Sequence, residues 1–149
     1  MSKYLGDSLI PKMVERINQH NKTTVILCTV NADGTPNSAP MTFIHAINDR
    51  TIRFALYCGG QTLKNIKSTG VLCFSLITEG NIALTIKGRG SIVKERMDAS
   101  SDYSMVEITI DAVKSDRSVF TTVEQGIGIV VSEGSGEWTE RVFQELESG

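Results

Sequence analysis

Two strand-like runs, Ile52-Arg53-Phe54-Ala55-Leu56-Tyr57 and Val71-Leu72-Cys73-Phe74-Ser75-Leu76-Ile77, are joined by twelve residues, Gly59 to Gly70, that cannot continue either strand. Gly59-Gly60 opens a turn. Leu63 and Ile66 lie three apart and share one helical face, with Lys64 and Lys67 turned elsewhere. Gly70 suits the left-handed residue that closes a helix. The stretch therefore predicts one short helix set between two strands. Thr62 reads as its N-cap, with Asn65 three residues on as a near-capping box. A helix start offers unpaired N–H groups and the positive end of the helix dipole. With the Thr62 hydroxyl, the Gln61 and Asn65 amides and the Lys64 ammonium beside it, the place suits an anion such as a phosphate. An ordinary turn and cap is the other reading of the same residues.

The remaining pattern is mostly β. Thr24 to Val30 is a near-continuous, β-branched apolar run and reads as a strand buried on both faces. Asn31-Ala32-Asp33-Gly34 is a hairpin signal. The next strand spans 36–47, and Pro40 inside it implies a bulge or an unpaired edge, because proline donates no ladder hydrogen bond. Asn48-Asp49-Arg50 turns into Thr51 to Tyr57. Glu79-Gly80-Asn81 turns into a long strand over 82–94, where Gly88 and Gly90 flank Arg89 and suggest a bend. Met105 to Lys114 alternates cleanly, as a strand with one wet face does. Helices are expected over residues 8–20, capped by Asp7 or Ser8, and over Trp138 to Leu146. Gly126 to Ser132 reads as a strand or an extended arm. Six antiparallel strands with one helical crossover are best stabilised by closing on themselves, which removes exposed edges. The expected class is mainly β (α+β): a six-stranded antiparallel barrel with short flanking helices, one domain over 1–149.

Composition narrows the function. The formal net charge is −2 and no Lys/Arg block stands out, which argues against nucleic acid or an anionic membrane as partner. No apolar run reaches the length of a membrane span. The first residues are polar, without a signal-peptide core. Three cysteines (Cys28, Cys58 and Cys73) lack C-x-x-C spacing and suggest a reducing cytoplasm. His20 and His45 are far apart in sequence, and no paired ligand spacing predicts a metal.

Three pieces together resemble a known family: Thr29-Val30-Asn31-Ala32-Asp33-Gly34-Thr35-Pro36-Asn37-Ser38-Ala39-Pro40-Met41, then Gln61-Thr62-Leu63-Lys64-Asn65-Ile66, then Lys87-Gly88-Arg89-Gly90. In order and spacing they look like the FMN-binding split barrels, which include pyridoxamine-phosphate-oxidase-like and flavin-reductase-like proteins. The likeness spans about Val25 to Ala112. It implies a split barrel that binds FMN in a groove at a homodimer interface. It places the phosphate at Gln61, Thr62, Lys64 and Asn65. The isoalloxazine ring falls along Ala39, Pro40, Met41 and Thr42, and Ala55 and Leu56 line the same groove. Arg89 is a candidate contributor where the partner subunit closes over the ring. The departures are equally specific. The Arg and Lys that pyridoxamine-phosphate oxidases carry on the strand matching Pro40 to Ile44 are absent, as is their basic motif near the C-terminus. These point away from pyridoxamine-phosphate oxidation and toward the flavin-reductase-like and small FMN-binding branches. The implied function is an oxidoreductase passing electrons or hydride through FMN to a small-molecule partner. The alternatives are a non-catalytic FMN carrier, a barrel using deazaflavin or haem, or a module with an empty groove. With the redox chemistry carried by flavin, no catalytic acid or base is required of the chain, and none is evident.

Overall fold

The computed structural model describes residues 3–149. The elements are β1 (Lys3–Gly6), α1 (Pro11–Ile17), β2 (Val25–Val30), β3 (Pro36–Met41), β4 (Ile44–Ala46), β5 (Thr51–Tyr57), α2 (Gln61–Thr69), β6 (Val71–Thr78), β7 (Ile82–Lys94), β8 (Tyr103–Ser115) and α3 (Gly136–Ser148). Every ladder is antiparallel, in the order β3-β2-β6-β7-β8-β5-β4, with β1 paired to β8 off this path. The sheet is the expected split barrel with short helices, but it has eight strands rather than six. One extra strand is β1, whose four residues carry no apolar period. The other arises because the run 36–47 divides at Thr42-Phe43. Its first half pairs with β2 and its second half with β5, at opposite ends of the strand order. A single stretch of chain thus supplies both edges of the sheet, and the barrel is left split between them.

Alternation explains the inner packing. Val25 and Leu27 of β2 point inward with Phe54, Phe74, Ile86, Ile108 and Ile110, all fully buried. Ile26 and Cys28 are only partly covered, so β2 is half-buried and not covered on both faces as its composition suggested. Unbroken apolar character misled because the outer face of this sheet is itself apolar. α1 is shorter than the expected 8–20. It starts with Ile10 at the N-cap and Pro11 in the first turn, and neither Asp7 nor Ser8 caps it. Met13 and Ile17 drive it into the main core. The Asn18 amide then fixes it to β4, donating to the Ala46 carbonyl at 2.9 Å and accepting from the Ala46 N–H at 2.7 Å.

At Gly88 the β7–β8 register shifts by a bulge, and the backbones come so close that a Cβ there would sit 2.5 Å from the Thr109 carbonyl oxygen. The expected bend is therefore a backbone approach that only glycine permits. Beyond β8, residues 116–135 form neither helix nor strand. This strap is pinned where Val123 and Asn81 exchange hydrogen bonds at 3.2 and 3.0 Å. It ends at α3, the expected C-terminal helix, which buries Val142, Phe143 and Leu146 in a second apolar cluster with Ala55, Met97 and Met105.

Candidate functional site

The helix expected between Gly59-Gly60 and Gly70 is α2, and its end is as read: Gly70 is left-handed at φ 73° and its N–H returns to the Ile66 carbonyl at 2.8 Å. Its beginning differs. The N-cap is Gly60, in extended conformation, and no side chain caps the helix. Thr62 lies inside the first turn, buried, and its hydroxyl accepts from the Asn37 amide at 3.2 Å. Neither the cap nor the near-capping box forms. The first intrahelical bond runs from the Lys64 N–H to the Gly60 carbonyl at 3.3 Å, so the N–H groups of Gln61, Thr62 and Leu63 precede the ladder.

A polar network locks this helix start to the first hairpin. Asn65, buried, donates to the Thr29 hydroxyl at 3.0 Å and to the Asn31 side-chain oxygen at 2.9 Å, and accepts from the Gln61 amide at 2.7 Å. Asn37 bridges Thr29 at 3.2 Å and Thr62. Thr29 and Asn37 are register partners on β2 and β3, which is why one helix turn reaches both. Sequence reasoning assigned no role to Thr29, Asn31 or Asn37. Their signal was hidden because Thr29 sits in an apolar strand and Asn31 and Asn37 read as ordinary polar residues of a hairpin.

The other expected residues lie on or beside α2, β3, β5 and β7. Gln61 and Lys64 are exposed on the first turn; Lys67, one turn on, is already held by Glu95 at 3.0 Å. Ala39, Pro40 and Met41 lie on β3, which pairs only with β2. Pro40 sits opposite Ile26 on this edge strand, where a missing N–H leaves no ladder partner stranded. Thr42 follows in the break and lines a cleft of about 380 Å³ with Phe43, Tyr103, Trp138 and the strap residues Ile129 to Ser132. Ala55 and Leu56 are buried in different clusters, and the Ala55 N–H is engaged by the Phe43 carbonyl at 3.0 Å. Arg89 is exposed, 3.6 Å from Asp111, and pairs in register with Val71 just past the C-terminal end of α2. It is thus placed at the far end of the helix from Lys64. Tyr57, exposed, lies over Gly59, where a Cβ would meet its ring at 2.8 Å.

An aromatic group backs the cleft. Phe43 meets Trp138 at 5.3 Å and Tyr103 at 5.9 Å edge-on. Phe143 stacks on His20 at 4.0 Å. His20 and His45, far apart in sequence, come together with Nε2 and Nδ1 2.8 Å apart. Burial lowers the pKa of both, His20 and Arg53 lower that of His45 further, and Glu147 pulls back on each. Among the described residues no group of three His, Cys, Asp or Glu side chains could hold a metal. None of the described helices is long and apolar enough to cross a membrane.

The fold is thus a split barrel with an uncapped helix start laid against an edge strand, and the sequence places the chain in a family. Residues 9–123 match the pyridoxamine 5'-phosphate oxidase family, and the chain belongs to that family. No curated protein matches it in sequence. Several solved structures share the fold. An FMN-binding protein from Syntrophomonas wolfei aligns at 18% identity and TM-score 0.55, over 68% of this chain and 84% of that one. An F420 reductase aligns at 19% and 0.55, over 70% and 98%. HutZ, the heme storage protein from Vibrio cholerae, aligns at 14% and 0.54, over 80% and 96%.

Proposed function

We propose that this protein is an FMN-binding flavoprotein, an oxidoreductase that passes electrons or hydride through FMN in a groove between two copies of the chain. The observation that carries the reading is the uncapped start of α2, tied to edge strand β3 by the Asn37–Thr62 hydrogen bond. Unpaired N–H groups and a positive dipole end favour a phosphate. The Lys64 ammonium, exposed and without an ion pair among the described residues, adds a positive charge. From Asn37, which touches the helix start, to Thr42 the chain runs about 17 Å at strand spacing, enough to lay phosphate, ribityl and ring end to end. The residues therefore fit the mononucleotide.

When bound, FMN supplies the redox chemistry. The chain's part is to hold and orient it. Gln61, Thr62, Lys64 and Asn65 serve the phosphate: the first-turn N–H groups donate, Lys64 neutralises, and Asn65 keeps the turn rigid through Thr29 and Asn31. The edge of β3 over Ala39, Pro40, Met41 and Thr42 presents main chain to the polar rim of the ring. Ala55 and Leu56 on β5 complete the groove in this reading, Leu56 from the barrel core and Ala55 from the cluster under α3. A second copy is supported by the strap, where Val119, Phe120 and Val130 are 74%, 91% and 93% exposed. Apolar side chains so bare on an otherwise packed chain suit a protein surface.

Haem is the less favoured ligand. The two histidines each spend one ring nitrogen on their mutual hydrogen bond and His20 is stacked on Phe143, so an axial ligand would have to come from the remaining nitrogen of a packed ring. The test is anaerobic mixing of FMN-loaded protein with NADH or NADPH. Bleaching of the flavin band supports the oxidoreductase. A bound flavin that neither nucleotide nor another small hydride donor reduces would mark a non-catalytic FMN carrier.

A further inference from the structure

The outer face of the sheet holds two thiols that the proposed flavin site does not use. Cys28 on β2 and Cys73 on β6 are register partners. The inward neighbours Leu27, Thr29, Leu72 and Phe74 are buried, so both cysteines point outward on the same face. They line one open groove of about 560 Å³ with Val30, Val71, Lys87 and Ala112. Cys28 lies near enough to help burial push the Cys73 thiol up. Cys58 is remote from them, its thiol beside the Ser104 hydroxyl at 3.3 Å and the Glu95 carbonyl at 3.5 Å.

We propose that Cys28 and Cys73 form a reversible two-electron redox site, in which a small hydroperoxide converts the facing thiols into a cross-strand disulfide. Directly opposed residues in an antiparallel ladder have Cα atoms about 4.5–5.5 Å apart, within the span of roughly 4.4–6.8 Å that a disulfide bridges. Their Cβ atoms, at about 4.5–5.5 Å, are wider than the ~3.8 Å a relaxed disulfide prefers. The bond therefore pinches β2 toward β6 and is readily reduced, as strained disulfides are. In the first step one thiolate sulfur attacks a peroxide oxygen. The O–O bond breaks, the sulfur becomes a sulfenic acid, and water or an alcohol leaves. In the second step the other thiol attacks that sulfur, the S–S bond forms, the S–O bond breaks and water leaves. The two sulfurs lose two electrons in total, the peroxide gains them, and the two thiol protons end in the leaving molecules. Burial pushes the Cys73 thiol up, with Lys87 and Lys114 opposing, so the reaction quickens as pH rises above neutral. The staple would sit one residue from Thr29, which holds Asn65 and Asn37, and so would bear directly on the start of α2.

The test is hydrogen peroxide treatment of the full chain, then alkylation under denaturing conditions and intact-mass and peptide analysis. The expected result is loss of two hydrogens, alkylation of one thiol instead of three, a linked peptide pair holding Cys28 and Cys73, and return of all three thiols with dithiothreitol. Cys58→Ser should give the same link, which guards against a Cys28→Ser or Cys73→Ser variant that folds poorly. Those two variants should form no link. Three alkylated thiols after treatment, a link through Cys58, a link between chains, or overoxidation of unlinked Cys28 or Cys73 would each overturn the proposal.

Discussion

Asn65 is the residue on which the candidate site turns. It is buried, its amide spends both donors on Thr29 and Asn31, and its oxygen accepts from Gln61. Asn65→Ala leaves the Thr29 hydroxyl and Asn31 carbonyl short of a donor and opens a small cavity; chemical denaturation should show a loss of about 2 kcal/mol. Lys64 is the opposite case. Exposed and without a side-chain hydrogen bond or ion pair among the described residues, it contributes little to the fold, so Lys64→Ala should leave the denaturation midpoint nearly unchanged while weakening FMN binding. That loss should shrink as salt rises, which a titration at two ionic strengths will show. The histidine pair makes a separate prediction. In the neutral pair one ring N–H donates to the other ring; a first added proton makes one cation that keeps this bond, and a further one would set two cations 2.8 Å apart. Both folded pKa values lie below the ordinary 6.5, so the folded state binds fewer protons than the unfolded chain as pH falls past that value. Stability is then full above about pH 6.5 and is lost as pH drops through the lowered range. Glu147 on α3 and Arg53 on β5 face the pair, and Glu137 and Glu140 line with His20 a second cleft, distinct from that of Thr42. Trp138, the sole tryptophan, packs between Phe43 and Tyr103 and should report the change as a red shift toward pH 5. His20→Phe keeps an aromatic ring against Phe143 and should flatten that response; an unchanged response would separate the pair from the docking of α3.

At the scale of elements, α3 is held by one carboxylate as much as by its apolar face. Glu145 accepts from the N–H groups of Asp98 and Ala99 at 2.9 and 2.7 Å and from the Lys94 ammonium at 3.0 Å. Burial alone would raise its pKa, but these three donors outweigh it and hold the carboxyl below its ordinary range. The contribution is present above the usual carboxylate range and lost as pH falls through the lowered value. Glu145→Gln keeps the shape but not the charge, and thermal or chemical unfolding should show a loss of about 2 kcal/mol. The short helix α2 was legible because its signals are local: Leu63 and Ile66 on one face, and glycine at each end. Its cap was not. Threonine is a good N-cap by type, but Asn37 claims the Thr62 hydroxyl from another strand, and a contact spanning 25 residues leaves no mark on local propensity. The division of 36–47 was half legible. Pro40 announced an edge, while the point where the chain leaves one edge for the other is set by Phe43 turning into the aromatic group under α3. β1 was invisible, since its pairing with β8 depends on a strand more than a hundred residues away.

For the whole molecule, alternation in β8 and hairpin signals between strands made the antiparallel barrel readable, and membership of the pyridoxamine 5'-phosphate oxidase family agrees with it. What could not be read was how the candidate residues assemble. Gln61, Thr62, Lys64 and Asn65 share one helix and were legible as a group. Thr29, Asn31 and Asn37 join them only through the β2–β3 register. The two-copy groove predicts twice the chain mass of 16.3 kDa in sedimentation, and Phe120→Glu should weaken that association without unfolding the barrel, because the side chain is bare. The central claim is that the start of α2 recognises a phosphate on a flavin. It is tested most directly by titrating the flavin-free protein with FMN and with riboflavin, following flavin fluorescence. The account predicts that FMN binds at least tenfold more tightly, since about 1.4 kcal/mol from a single charge-assisted hydrogen bond already supplies that factor. Equal affinity for the two, or no binding of either, would contradict it.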